Sequence, residues 1–549
     1  MIFHCPVLKS QHLPVIGTGE RITVFTDRTL YVSGEKVFFS ATIFNVKEGT
    51  ASEYSRTLYC ELITPDGTRI IGRKYPVNNS SGQGCITIPE ETVSGIYYLK
   101  FYTRFMRNSS TGEYKYLMLK IINPFKTEVL SGNVVFDTTL LAMKTPEGHA
   151  ANQSLEIMAE KKSFSPRQEI QLTLRCKTAV GTPSRLCLSV IPESTFEQSF
   201  SPETNHLNAP QKGLYLPETR GISLSGQLIE KDSGQAIPYA KVNLSIIGDK
   251  DVLVVRSDSS GKFCFALPEY TGTKDIFLCA DDLPDIIPEI LIDNDFCSRP
   301  VSLPWPRFTL NEDEMKAAYK LAVNFRVSST FNSDTLAREA PADKNNTSFY
   351  GVPSEILVMA KFIDLPTLSE YFTQLPGIAR LKTIQGRKQF RFYTSQEEMA
   401  YHDPLLLVDW VAVNDVKKIL AMPPPEIDRI ELVNAIYIKG NVMYGGIISF
   451  VSKKNDFAGI DLPTSGKFVN YRFLEECTEN ITATPPTENI PDPRNTIYWN
   501  PAVLMKDDGT AGISFPAPDT PGKYWALLRQ TGNTGEVTET KEMFVVTGK

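Results

Sequence analysis

The chain has 549 residues, 42% apolar and 22% charged, with 57 Lys plus Arg against 63 Asp plus Glu. That length predicts about three to five folded domains, and a net charge of −6 carries no polybasic footprint for nucleic acid. No apolar run reaches the roughly 18 residues of a membrane helix, and the 5 His stand too far apart for a helical metalloprotease pair.

Residues 1–20 read as an N-terminal tail. Met1-Ile-Phe-His-Cys-Pro6 lacks the basic start and apolar core of a secretory signal. The nine Cys include no C-x-x-C pair, which argues against a zinc ribbon or a redox motif. Cys176 and Cys187 flank the Val180-Gly181-Thr182-Pro183 turn signal, so a hairpin there would bring them close, bonded or reduced.

Residues 21–125 read as a β-sandwich. β-rich runs at Arg21–Thr26, Lys36–Asn45, Leu58–Ile63, Cys85–Ile88 and Gly95–Phe101 alternate with turns, among them Thr64-Pro65-Asp66-Gly67. Thr26-Asp27-Arg28, Tyr31, Gly34-Glu35 and Val37 resemble the "TDR-x-x-Y-x-x-GE-x-V" opening of macroglobulin-type domains of the alpha-2-macroglobulin family. Ser33 replaces the family's usual Pro. Tyr31 and Gly34 are expected to set a turn, and Asp27 with Arg28 to form a structural pair. Residues 126–220 repeat this logic more loosely, in Leu155–Met158, Ile170–Leu174 and Arg185–Pro192, and read as a second macroglobulin-like unit ending in a polar linker from 194.

Residues 221–295 carry Asp232-Ser233-Gly234, Ile237-Pro238-Tyr239-Ala240 and Ser257-Asp258-Ser259-Ser260-Gly261-Lys262-Phe263. They resemble the carboxypeptidase-regulatory-like β-sandwich, a module without peptidase chemistry. The carboxylates of Ala280–Phe296 lack EF-hand spacing and read as a solvated loop rather than a calcium site. Within the helix-and-linker region 296–349, Asn311–Asn324 predicts a helix with an apolar stripe of Met315, Ala318, Tyr319, Leu321 and Ala322.

Residues 350–460 predict an α+β unit, with a capping box at Thr367 and Glu370. Pro404-Leu-Leu-Leu-Val408-Asp409, Ile427-Asp-Arg-Ile-Glu-Leu-Val433 and Tyr444-Gly445-Gly446 through Lys454 resemble, in this order, the plug domain of TonB-dependent outer-membrane receptors. Trp410 stands where that family has Gly, so the turn is expected to be built differently. About 90 residues follow Phe457, against the roughly 200 or more of a receptor barrel, so the unit reads as a plug-like module without its pore. Residues 465–549, with Thr496-Ile-Tyr-Trp499, Lys506-Asp-Asp-Gly509 and Gly522-Lys-Tyr-Trp525, read as a closing β-sandwich. They resemble the last domain of Bacteroidota surface proteins that carry the same modules.

The expected fold class is mainly β, tandem sandwiches with one α+β plug-like domain. The Cys-Gly-Glu-Gln thioester tetrad of protease-trapping macroglobulins is missing, and Cys85 reads as a plain strand cysteine. His402-Asp403 reads as a turn leading into a strand. The sequence therefore predicts no catalytic residue, no cofactor and no metal site. Trp410, Tyr444, Tyr498, Trp499 and Trp525 are the candidate partner-binding residues if exposed; Tyr498, Trp499, Tyr524 and Trp525 fit an inter-sheet core better than a ligand box. The resemblances imply a non-enzymatic scaffold or binding protein of the cell envelope, periplasmic or at the outer membrane, with an envelope protein as partner and an outer-membrane barrel as one candidate. The alternatives are a thioester-free protease-interacting macroglobulin relative and a hydrolase.

Overall fold

The computed structural model describes residues 19–131, 155–177, 185–197, 215–280, 283, 286–331, 348–374, 377–384, 386–393, 397–462, 466–477, 491–532 and 535–548. It is mainly β with one α+β region, as the sequence predicts, and divides into two compact units. One unit comprises Met1–Gly221, Phe296–Leu336 and Leu474–Lys549; the other comprises Ile222–Asp295 and Ala337–Phe473.

The first unit opens with a nine-stranded sheet folded over its own core. Its path runs Glu20–Thr26, Lys36–Asn45, Ser81–Thr87, Arg69–Asn78, Thr57–Ile63, Gly95–Tyr102, Lys115–Ile122 and Leu30–Val32, with Thr50–Ala51 at the side. The strand Lys36–Asn45 is buried on both faces. Val37, Phe39, Ala41 and Ile43 enter the core beside Tyr31, Leu58, Tyr75 and Phe101. The opposite face is covered too: Phe38 packs with Cys187 and Trp499, and Ser40 donates to the Pro501 carbonyl. The Asp66-Gly67 turn forms, with Gly67 at φ +89°.

Residues 155–192 and 498–546, expected as two separate β units, build a single sandwich. One sheet is Leu155–Ala159, Glu169–Cys176 and Thr510–Pro516; the other is Ser163–Phe164, Val537–Val546, Gly522–Thr531, Arg185–Pro192 and Tyr498–Asn500. The reason is burial. Glu169–Cys176 alternates strictly between exposed and buried, and a two-stranded ribbon with Leu155–Ala159 alone could not cover its apolar side. The strand Thr510–Pro516 completes that sheet. The expected hairpin between Cys176 and Cys187 does not occur, although its turn lies outside the described residues. Cys176 pairs with Leu155 and Cys187 with Arg529, in different sheets.

A buried polar knot joins the two sandwiches. Arg28, 2% exposed, donates through Nε to Thr496 Oγ1 at 3.0 Å and through Nη2 to Glu35 Oε1 at 2.9 Å. Asp27 accepts from Tyr31 Oη at 2.7 Å, from the Phe38 amide at 3.0 Å and from Thr496 Oγ1 at 2.5 Å. Asn495 donates to Glu35 at 2.7 Å and to the Leu321 carbonyl at 3.0 Å. Arg529 adds a second tie, donating to Thr26 O and Ser189 Oγ.

The helix Glu312–Phe331 is capped by Asn311, which exchanges hydrogen bonds with Glu314. Ala318 and Leu321 pack on Leu30 and Val32. Met315 and Tyr319, placed in the apolar stripe by the sequence, point to solvent instead. Phe325 lies against Gly34, where a Cβ would stand 2.5 Å from its ring; this explains the glycine of the Gly34-Glu35 motif.

In the second unit, Lys262–Ala266, Ser223–Glu230 and Pro288–Ile292 face a sheet of Val252–Arg256, Lys241–Ile246, Thr273–Ala280 and Lys467–Arg472. Lys467–Arg472 thus belongs to this sandwich, not to the closing domain expected from residue 465. The α+β region holds Glu355–Val358, Ile427–Val433, Ile447–Ser452, Leu405–Val408 and Val411–Ala412 in one sheet. The short helix Leu368–Gln374 carries the expected Thr367–Glu370 capping box.

Replacing Arg28 by Met leaves two carboxylates buried without their cation, which typically costs about 3–5 kcal/mol. Urea denaturation of Arg28→Met should show a loss of that size; a change below about 1 kcal/mol would contradict the knot.

Candidate binding site

The five aromatic candidates reach quite different surroundings. Trp410 and Tyr444, 8% and 3% exposed, face the β-sandwich of their own unit. Trp410 Nε1 donates to Ser348 Oγ at 3.0 Å, and Lys250 Nζ lies 4.8 Å from its ring. Tyr444 Oη donates to Asn243 Oδ1 at 2.9 Å. Around them, Val252, Val254, Phe277 and Cys279 of the sandwich share one core with the α+β region. The Ala412 amide donates to Ser245, and Cys279 to the Ala412 carbonyl. The surface these two aromatics were expected to offer a partner is filled by the chain itself. Polar Asn243 and Ser245 inside the strand Lys241–Ile246 are the sequence trace of that contact.

Tyr498 and Trp499 are also buried. Tyr498 lies in the second sandwich's core, and Trp499 on the opposite face of its strand, against Phe25 and Phe38 of the first sandwich. Both therefore belong to packing, the second of the two readings the sequence allowed. Trp525 alone remains half-buried, under Lys541 Nζ at 4.5 Å.

The turn at Trp410 keeps the left-handed geometry a glycine would adopt. Asp409 and Trp410 have φ of +46° and +63° between paired Val408 and Val411, a type I′ turn. Asp409 holds it by accepting from the Ser452 amide, Ser452 Oγ and the Phe457 amide at 2.7, 2.7 and 2.9 Å.

The first unit has a cleft of about 480 Å³, lined by Thr29, Leu30, Lys120, Ser194–Glu197 and Asn311–Glu314. Lys120 Nζ sits 2.6 Å from Glu314 and 3.3 Å from Glu197. Burial pushes its ammonium down, but Glu314 and Glu197 outweigh burial and hold it above its ordinary value. A lysine kept charged in this way is a poor base or nucleophile, so the cleft suits polar recognition. Its residues come from four distant stretches, and the Asn311–Glu314 cap is the one part with a local sequence signal. His402 and Asp403 lie elsewhere; Asp403 pairs with Arg391, and its carbonyl accepts from the Gly445 amide. Among the described residues no group of His, Cys, Asp and Glu is arranged to hold a metal.

Cys85 and Cys477 form a disulfide, with Cα atoms 5.5 Å apart across a sequence separation of 392. No spacing signal could have revealed it, and Cys85 is thus more than a plain strand cysteine. The segment of Cys477 is further held by the Glu475 amide on the Lys74 carbonyl and by Arg73 on Glu475 at 3.2 Å. Cys176 and Cys187 are both buried, and Cys187 is a free thiol. Burial pushes the Cys187 thiol up to about 12, although Arg529 opposes the shift.

No family model and no curated protein matches the chain. Among solved structures it is similar to trypsin-activated alpha-2-macroglobulin from Escherichia coli, at 12% identity over 97% of this chain and 42% of that one, TM-score 0.25. Salmonella alpha-2-macroglobulin reacted with methylamine gives 10% identity over 99% of this chain and 41% of that one, TM-score 0.25. Dimeric latent PorU from Porphyromonas gingivalis gives 11% identity over 50% and 34%, TM-score 0.16. The chain spans about two-fifths of the length of the macroglobulins it matches.

Trp410→Gly relieves backbone strain of roughly 1–3 kcal/mol but removes a buried indole, typically a loss of about 3–5 kcal/mol. A net destabilisation of about 2 kcal/mol is expected in chemical denaturation; a more stable variant would show that strain dominates. Peptide mapping without reductant should recover the Cys85–Cys477 cross-link and a free Cys187. The folded Cys187 thiol titrates above its unfolded value of 9.0. Its contribution to stability is therefore complete below pH 9 and lost as the pH rises from 9 to 12. Unfolding midpoints across that window should fall less steeply in Cys187→Ala; equal slopes would contradict the shift.

Proposed function

We propose that this chain is a non-enzymatic, multidomain scaffold of the cell envelope that presents surfaces to a protein partner. The observation that carries the reading is the use made of its buried charges. Asp27, Arg28 and Glu35 are engaged in holding one sandwich to another, and Glu61 with Lys100, 2.9 Å apart, lies within the first. Such groups serve rigidity rather than proton transfer. The macroglobulin-type, carboxypeptidase-regulatory-like and plug-like motifs support the same reading, since each resembles a module that binds or supports.

The disulfide supports placing the chain in an oxidising compartment, the periplasm or the outer-membrane surface of a Bacteroidota-like cell. The partner is an envelope protein, an outer-membrane barrel being the first to test because of the plug-like sequence motifs. No cofactor is required.

Purified full-length chain should show no turnover on peptide, ester and glycoside panels, and should be captured with envelope proteins after cross-linking in cells. Turnover abolished by one Ser, Asp or His substitution would replace the scaffold reading with a hydrolase.

A further inference from the structure

The α+β region carries a two-stranded hairpin, Ala379–Ile384 with Arg387–Phe392. Residues directly opposite in an antiparallel pair share a face, so the register sorts its side chains into two sets. Ala379 opposes Phe392 and Leu381 opposes Phe390. These four face inward: Ala379 and Phe390 belong to the core, with Leu381 and Phe392 packed against it. The Phe390 ring meets Phe372 at 4.9 Å. The other face pairs Arg380 with Arg391, Lys382 with Gln389, and Ile384 with Arg387.

That outer face holds four cations and no carboxylate, in a chain whose net charge is −6. Arg391 is engaged by Asp403 and by Gln389 Oε1 at 2.9 Å. The Arg380 guanidinium lies 5.0 Å from the exposed Tyr393 ring. Arg380, Lys382 and Arg387 are exposed, and among the described residues none of them bonds a carboxylate. Like charges directly opposite each other, as Arg380 and Arg391 are, weaken a sheet. Seating the inner face does not require them, and a merely solvated outer face is better served by mixed signs.

The pattern also has a period. Arg380 and Lys382 stand about 6.8 Å apart along their strand, the spacing of carboxylates at alternate positions of an extended chain. A bilayer surface calls for apolar side chains to insert, and this face offers only Ile384 and the Tyr393 ring.

We propose that the outer face of this hairpin docks an acidic segment of a partner protein in extended conformation, with carboxylates at alternate residues over Arg380, Lys382 and Arg387. The inference rests on the scaffold reading and gives the partner's chemistry. The two fail separately: turnover on substrate panels removes the scaffold, whereas absent peptide binding removes the docking face alone.

Fluorescence anisotropy of the full-length chain with a short labelled peptide of alternating Glu and Thr tests this. Saturable binding is expected, weakened at least about tenfold in the double variant Arg380→Glu, Lys382→Glu and again by high salt. In Arg380→Glu alone the charge opposite Arg391 becomes attractive, so the thermal midpoint should hold or rise while binding weakens. A lowered midpoint with unchanged binding would make Arg380 structural and overturn the proposal. No saturable binding, equal binding in the double variant, or cosedimentation with phosphatidylglycerol vesicles in place of peptide binding would overturn it too. Should the double variant not fold, carbodiimide coupling of the peptide to the unmodified chain decides. Lys382 should be joined; coupling confined to other lysines would overturn the proposal.

Discussion

One guanidinium holds the first unit together. Arg28 is fully enclosed, and all its charged partners sit at the seam between two sandwiches. Burial pushes its proton affinity down, but Glu35 and Asp27 outweigh burial and leave it firmly cationic. Taking three charges from water is expensive, and their attraction offsets that only when geometry and hydrogen bonding are nearly complete. The requirement is met by residues from three places in the chain: Asp27 to Glu35, Leu321, and Asn495 with Thr496. A mispaired sandwich would leave part of this set unsatisfied, so the knot favours one mutual arrangement of the two sandwiches over others.

Much of the architecture was legible in sequence because its signals are local. The sequence reads Asp27 and Arg28 as a structural pair, and they form one. The turn at Gly67, the Thr367–Glu370 cap and the long helix appear where their residue types require them. Long-range pairing was not legible. Nothing in Glu169–Cys176 states that its partner is Thr510–Pro516, because strand alternation specifies a buried side without specifying what covers it. The same holds for Cys85 and Cys477. The cleft at Lys120 combines both cases: its helix cap is a local pattern, whereas Glu197 and Lys120 meet only through the tertiary fold.

The aromatic candidates show why composition alone points to binding surfaces too readily. A large ring with a polar handle suits an internal seam as well as an external one. Tyr444 uses its hydroxyl on Asn243, and Trp410 its indole N–H on Ser348. The left-handed backbone at Trp410 is held by Asp409, whose carboxylate takes three donors. A non-glycine pair is here kept in a left-handed turn by its surroundings.

The interleaved second sandwich also bears on biosynthesis. About 330 residues separate Cys176 from Thr510, which at typical translation speeds is a delay of roughly 15–70 s. During that interval the emerging strands Leu155–Ala159, Glu169–Cys176 and Arg185–Pro192 have apolar sides and unpaired edges with nothing to cover them. Until the C-terminal strands are made, those uncovered edges are the aggregation-prone part of the nascent chain.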